Sequence, residues 1–217
     1  MLGLSISNNS ELNILCLGAH SDDIEIGCGG TILSMLKKYK NSSVNWVVFS
    51  SENEREEEAR ISANIFLEHA ASKNIHVENF RNGFFPYIGG DIKEYFEAIK
   101  KIVSPDIVFT HYREDLHQDH RVISELTWNT FRNHLLLEYE IPKWDGDLGR
   151  PNVFLPLNDA VCRTKVDTIL SVFKSQVSKH WLNEDLLYSL LRIRGMECVS
   201  PTEYAEAYYC RKIVVEL

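Results

Sequence analysis

Apolar and polar residues fall along this chain in blocks whose lengths separate strands from helices. Residues 12–19 form a largely apolar, β-prone run, the pattern of a strand buried on both faces. Residues 44–50 repeat that pattern, and 75–80 and 106–110 are shorter versions of it. Helical stretches lie between them. Residues 31–38 end on Lys37 and Lys38, which suit the C-terminal end of a helix. Residues 54–72 open on acids, then place Ala59, Ala63, Phe66, Leu67 and Ala70 at helical spacing. Residues 92–103 predict a third helix, stopped by Ser104-Pro105. Gly27, Gly29 and Gly30 read as punctuation before the first helix, and Arg81-Asn82-Gly83 as a turn.

Four strands thus alternate with three helices, which predicts an α/β protein with a mostly parallel sheet covered on both faces. The last third is less regular. Strands are expected over 135–141 and 152–155, helices over 160–175 and 183–194, and a closing strand over 210–216. No repeat or linker divides the chain, so one domain spanning 1–217 is expected, with 1–11 a loose polar start.

Composition narrows the function. A charged fraction of 25% and a hydrophobic fraction of 44% are ordinary for a globular protein. A formal net charge of -8 argues against nucleic acid as a partner. No apolar window reaches bilayer length, and the N-terminus lacks a basic start followed by an apolar block. A cytoplasmic protein without stable membrane insertion is expected. Five scattered cysteines without a Cys-x-x-Cys spacing predict reduced, mostly buried thiols.

Two clusters carry the chemistry. His20-Ser21-Asp22-Asp23 follows the first predicted strand, and His117-Gln118-Asp119-His120 follows the fourth. In open α/β sheets, ligands bind beyond the carboxyl ends of strands, so the two clusters should converge. His20 and Asp23 can ligate a divalent metal from one loop, and His117 or His120 could complete the set. A spare carboxylate and a spare imidazole remain beside them, the inventory of a metal-assisted hydrolase. A dinucleotide site fits less well. Gly27-Cys28-Gly29-Gly30 comes after the acids rather than directly after the strand, and two aspartates would repel a pyrophosphate.

Ala19-His20-Ser21-Asp22-Asp23, Gly27-x-Gly29-Gly30 and His117-x-Asp119-His120 together resemble the PIG-L (LmbE-like) family of zinc-dependent N-deacetylases. Members of that family remove acetyl groups from N-acetylglucosamine units on lipids, thiols, sugars or antibiotics. The resemblance runs from about residue 12 to the end, with weaker matches at Arg55-x-x-Glu58, Ser175-Gln176 and Tyr204-Ala205-Glu206. It implies a Rossmann-like three-layer α/β/α fold and one zinc ion per chain, with another divalent metal as the alternative. His20, Asp23 and His120 would be the metal ligands and Asp22 the general base. His117 would stabilise the oxyanion or protonate the departing amine, and Asp119 would orient an imidazole. General chemistry supports these roles, since zinc acidifies water and a nearby carboxylate can finish the deprotonation. An imidazole across the site meets the charge that develops on the amide oxygen.

The sequence departs from the family in two places: Ser21 stands where Pro is more frequent, and Ile24-Glu25 where Glu often follows the aspartates directly. On the substrate side, Arg55 matches an arginine that contacts substrate in the family, while Asn82 lies near the place where members often carry an acid. His111, Tyr112 and Arg113 at the mouth of the fourth strand could line the pocket. Phe84, Phe85, Tyr87, Trp144 and Trp181 offer ring faces near predicted loops. The expected activity is removal of the N-acetyl group from an amino sugar or its conjugate, a small-molecule substrate. An amidase acting on a larger amide conjugate is the alternative within hydrolases. A non-catalytic Rossmann-type nucleotide- or sugar-binding protein is the alternative outside them. The sequence leaves a homo-oligomer open.

Overall fold

In the computed structural model, which describes Gly3 and residues 11–176 and 178–214, seven strands form one sheet. They are β1 (Asn13–His20), β2 (Ser43–Ser50), β3 (Ser72–Val77), β4 (Ile107–His111), β5 (Leu135–Tyr139), β6 (Val153–Leu157) and β7 (Tyr204–Tyr209). Their spatial order is β3-β2-β1-β4-β5-β7-β6. The first five are mutually parallel, and β7 runs antiparallel to both of its neighbours. Six helices accompany them: α1 (Asp23–Lys38), α2 (Glu54–Phe66), α3 (Gly89–Ile102), α4 (Gln118–Thr130), α5 (Asp159–Val172) and α6 (Glu184–Glu197).

Alternation along the strands divides the core into two halves, because successive side chains point to opposite faces. Ile14 and Cys16 of β1 join Val44, Trp46 and Phe109 under α1, α2, α5 and α6. Leu15 and Leu17 join Val47, Phe49 and Val108 under α3 and α4. The result is a three-layer α/β/α fold. Among the described residues, no helix is long and apolar enough to cross a membrane. All five cysteines are free, four of them buried and Cys210 half-buried.

Helix α2 ends at Phe66 rather than 72, β3 lies at Ser72–Val77 rather than 75–80, and three other elements differ more from the sequence expectation. Helix α1 begins at Asp23 and swallows the glycines that read as punctuation. These glycines are points of close approach: a Cβ on Gly27 would lie 2.2 Å from the Tyr139 ring, and one on Gly29 2.5 Å from Phe66. Helix α4 was not expected at all, because its first turn is the reactive cluster itself. The last strand lies at 204–209 rather than 210–216; residues 211–214 form no strand, and 215–217 fall outside the described residues. Of the expected loose start, residues 1, 2 and 4–10 likewise fall outside them.

Sheet register opens the site. β1 pairs with β2 as far as His20↔Ser50, and β4 with β5 as far as His111↔Tyr139. Between β1 and β4, however, pairing stops at Cys16↔Phe109. Connections diverge there, with β1 leading towards β2 and β3 on one side while β4 leads to β5 on the other. A crevice at such a switch point is where open α/β sheets bind ligands.

Candidate metal centre

The first loop turns sharply out of β1. His20 is the last strand residue, Asp22 caps α1, and Asp23 is the first helical residue. Asp22 sits at φ 105°, a left-handed conformation that L side chains seldom adopt. Ser21 meets Ser51 at the end of β2, Oγ to Oγ, at 2.7 Å, so a hydroxyl bond braces the loop where the family more often has proline. Asp23 Oδ2 accepts the His20 N–H at 2.6 Å. Behind the loop Glu25 lies buried near Ser62 of α2, and burial pushes its carboxyl up to about 7.

The second loop leaves β4 after His111 and delivers Asp115, His117 and the start of α4. His117 is the helix cap: its Nδ1 accepts the Asp119 N–H at 3.2 Å, which leaves its proton on Nε2. Its ring stands 4.9 Å from that of His20 and 4.5 Å from that of His120. Burial and the neighbouring His20 hold the His117 imidazole below its ordinary range.

The two loops converge on one point. His20 Nδ1 lies 3.2 Å from His120 Nε2 and 3.4 Å from Asp23 Oδ2, and His120 Nε2 lies 3.6 Å from that same oxygen. Carboxylates behind the rings fix their tautomers. His20 Nε2 donates to Asp119 Oδ2 at 3.0 Å, and His120 Nδ1 donates to Asp115 Oδ2 at 3.0 Å. Both inner nitrogens therefore present lone pairs to each other and to a carboxylate oxygen. Three such atoms at this spacing repel one another unless a positive charge lies between them, a metal ion or, in its absence, a proton on His20 Nδ1. Tetrahedral ligands about 2.0–2.1 Å from a zinc-sized ion are roughly 3.3–3.4 Å apart, so the donor set fits.

The electrostatics agree with that reading. Burial disfavours a charged His20, yet hydrogen bonds to Asp119 and Asp23 and their negative field outweigh it and lift the ring to about 9. A field that holds a proton there also favours a metal cation. Burial and the adjacent His111 push His120 down to about 3, which keeps its lone pair free. Asp119 is anchored by the N–H groups of Gly83 (2.7 Å) and Phe85 (3.1 Å). Asp115 accepts Lys143 Nζ at 2.8 Å and the His117 N–H at 2.8 Å. Among the described residues, two overlapping groups could hold a metal: His20 with His117 and His120, and Asp23 with His111 and His120.

Asp22 stands beside this set. Its Oδ2 is buried without a hydrogen-bond partner, and burial with the neighbouring Asp23 charge raises its carboxyl well above the ordinary range. Arg55, from the first turn of α2, donates to the Ser21 carbonyl at 3.0 Å and lies 3.6 Å from Asp22 Oδ1. One helical turn on, Glu58 points the other way and accepts the Ser175 N–H and hydroxyl at 2.8 and 2.6 Å. The Arg-x-x-Glu pattern therefore joins one residue facing the site to one that clamps a distant turn.

Other expected residues are placed differently. Tyr112 stacks on Tyr209 at 3.8 Å and donates to Glu114, while Arg113 is exposed and uses its backbone N–H to bond Glu138. His111 is wholly buried beneath the site, and Phe85 is core. Phe84, Tyr87 and Trp144 are exposed, and Trp181 packs against the core. Asp115 and Lys143 were not expected. Asp115 stands two residues before His117, and an acid so close to the cluster was the one available signal.

Comparison with known proteins settles the family. The model of GlcNAc-PI de-N-acetylase, PIG-L, matches residues 15–131, more than half of the chain. The chain belongs to the PIG-L family. PIG-L membership makes it a hydrolytic N-deacetylase by class. A curated relative, the uncharacterized deacetylase YaiS of Escherichia coli, is 28% identical over 148 residues, 63% of this chain and 77% of its own length. Among solved structures, N,N'-diacetylchitobiose deacetylase from Pyrococcus horikoshii superposes with a TM-score of 0.65 at 19% identity, covering 91% of this chain and 83% of that one. The 4-carboxy-2-hydroxymuconate hydratase GalB from Pseudomonas putida superposes with a TM-score of 0.72 at 18% identity, covering 95% and 98%. These two likenesses report the fold, which hosts more than one reaction.

Proposed function

We propose that this PIG-L chain removes the N-acetyl group of an amino sugar or its conjugate, with one divalent ion, zinc in the first instance, held by His20, Asp23 and His120. The observation that carries the reading is the convergence of three donor atoms beside a buried Asp22 carboxylate whose Oδ2 has no hydrogen-bond partner. A bound ion would supply Lewis acidity to the amide carbonyl and to the attacking water. Asp22, with a raised affinity for protons, takes the proton of that water. The neutral His117 Nε2–H donates to the amide oxygen as charge develops, and the proton collected by Asp22 passes on to the leaving amine. Asp119 and Asp115 hold the two ligand rings in the required tautomers, and Arg55 steadies the loop that carries the base. The substrate named for the Pyrococcus horikoshii protein supports an amino sugar over other amides.

The direct test is acetate release from a panel of N-acetylated amino sugars, with bulkier N-acyl sugars for comparison. About one equivalent of metal per chain is expected. Asp22→Asn should keep the metal while losing roughly 10²–10⁴-fold in turnover, the range for a general base. Turnover at the wild-type rate in that variant would remove Asp22 from its role. Faster release of bulky acyl groups than acetate would replace the deacetylase with an amidase of wider scope.

A further inference from the structure

We infer that His111 is a positioning residue: its imidazole replaces a strand-to-strand hydrogen bond where β1 and β4 part, and so fixes all three candidate metal ligands. The inference rests on the ligand set proposed above. Beyond Cys16↔Phe109 the two strands no longer pair, and the N–H groups of β1 on that edge need other acceptors. Ala19 N–H finds one in His111 Nε2 at 2.9 Å, across the opening crevice. That bond sets the backbone from which His20 projects.

The same ring reaches the other two ligands. Its face stacks on His120, with centroids 3.9 Å apart and planes 20° from parallel. Its Nε2 stands 3.3 Å from Asp23 Oδ2. Because Nε2 accepts from Ala19, it has no proton to give Asp23 and no lone pair to spare for a metal. Its proton must sit on Nδ1, which is buried and without a partner. A structural histidine would ordinarily satisfy both nitrogens. Here one is left unmet while the ring is held wholly buried against both loops of the site. The geometry makes His111 a spacer under the metal centre rather than a fourth ligand or a substrate contact.

The test compares wild type, His111→Gln and His111→Phe. Glutamine can offer Oε1 where Nε2 stood; phenylalanine keeps the stacked ring but loses the acceptor. In metal-free protein, nitrogen NMR should show His111 with its proton on Nδ1. Hydrogen exchange at Ala19 N–H should stay slow in wild type and His111→Gln and become faster in His111→Phe. Zinc affinity, measured by chelator competition, should change little in His111→Gln and weaken about 10–100-fold in His111→Phe, the range for groups that orient ligands. Cobalt substitution should give wild type and His111→Gln the same visible spectrum.

Wild-type zinc affinity in His111→Phe would overturn the inference. So would a proton found on Nε2, or a cobalt spectrum that loses a nitrogen ligand in His111→Gln. If His111→Phe fails to fold, the tautomer and the glutamine variant still decide. A wild-type chain that bound no zinc would sink the ligand set proposed above, while Ala19 exchange would still judge His111.

Discussion

Lys165 offers a sharp test of how α1 is held. Its ammonium is buried, with the side chain 3% exposed, and donates to the Ile26 carbonyl at 2.6 Å and to Glu206 Oε1 at 2.5 Å. Glu206, equally buried in β7, also accepts the N–H groups of Gly30 (2.9 Å) and Thr31 (2.7 Å) and the Tyr208 hydroxyl (2.9 Å). The ion pair is thus spliced into the hydrogen-bond ladder of α1, the helix that starts with Asp23. Lys165→Met removes the cation and leaves a buried carboxylate behind. Breaking a buried pair from one side costs about 3–5 kcal/mol, and three surviving donors to Glu206 place this case near the lower end. For a chain of this size that is a fall of roughly 6–12 °C in Tm. Urea and thermal unfolding should both report it. Adding Glu206→Gln removes the stranded charge, so the double variant should be more stable than the sum of the singles by about 2 kcal/mol. A loss under about 1 kcal/mol in Lys165→Met, or strict additivity, would show that the pair does not hold the helix.

Other expectations follow from the site and its supports. Asp115→Asn should weaken zinc binding about 10–100-fold with the fold retained, because His120 loses the carboxylate that sets its tautomer; chelator competition measures it. Metal-free protein should lose stability as pH rises. His20 is lifted from 6.5 to about 9 against the opposing effect of burial, so its contribution is fully present below 6.5 and gone above about 9. The amount is on the order of 3 kcal/mol, and denaturant midpoints of wild type against Asp119→Asn across that window should converge at the alkaline end. Gly27→Ala should cost at least about 1–3 kcal/mol, since the new methyl would meet the Tyr139 ring 2.2 Å away and neither partner has room to move; unfolding midpoints check it.

Much of this architecture was legible because its chemistry is local. The strand runs before His20 and before His117 are apolar, and position beyond a strand end predicts that the clusters meet. What escaped notice did so for physical reasons. Gly27, Gly29 and Gly30 suggested a loop, yet their role is to let helix α1 lie against Tyr139, Phe66 and Leu157, a demand set by residues far away in sequence. Glu206 interrupts the apolar pattern of β7, and the carboxylate is tolerable there because Lys165, two N–H groups of α1 and the Tyr208 hydroxyl all meet it, none of which a strand pattern shows. Helix α4 was hidden because its first turn spends its side chains on the site: His117 caps it with a ring nitrogen, and Asp119 and His120 face inward. Asp115 acts through the His120 ring and the His117 backbone, and Lys143 through Asp115, so no spacing rule could rank them.

Seen from α1, the candidate reacting groups lie in the first part of the polypeptide, while several of their supports come from the rest. All the candidate ligands and the base lie before position 131, where the family match ends. Yet Tyr139 packs on Gly27, Lys143 steadies Asp115, and Lys165 with Glu206 grips the helix from behind. A fragment cut at that boundary would carry every candidate reactive atom and the carboxylates behind the rings, but would lack the later residues that hold α1 and Asp115 in place. Transplanting the two motifs onto another scaffold would likewise have to bring these later residues along.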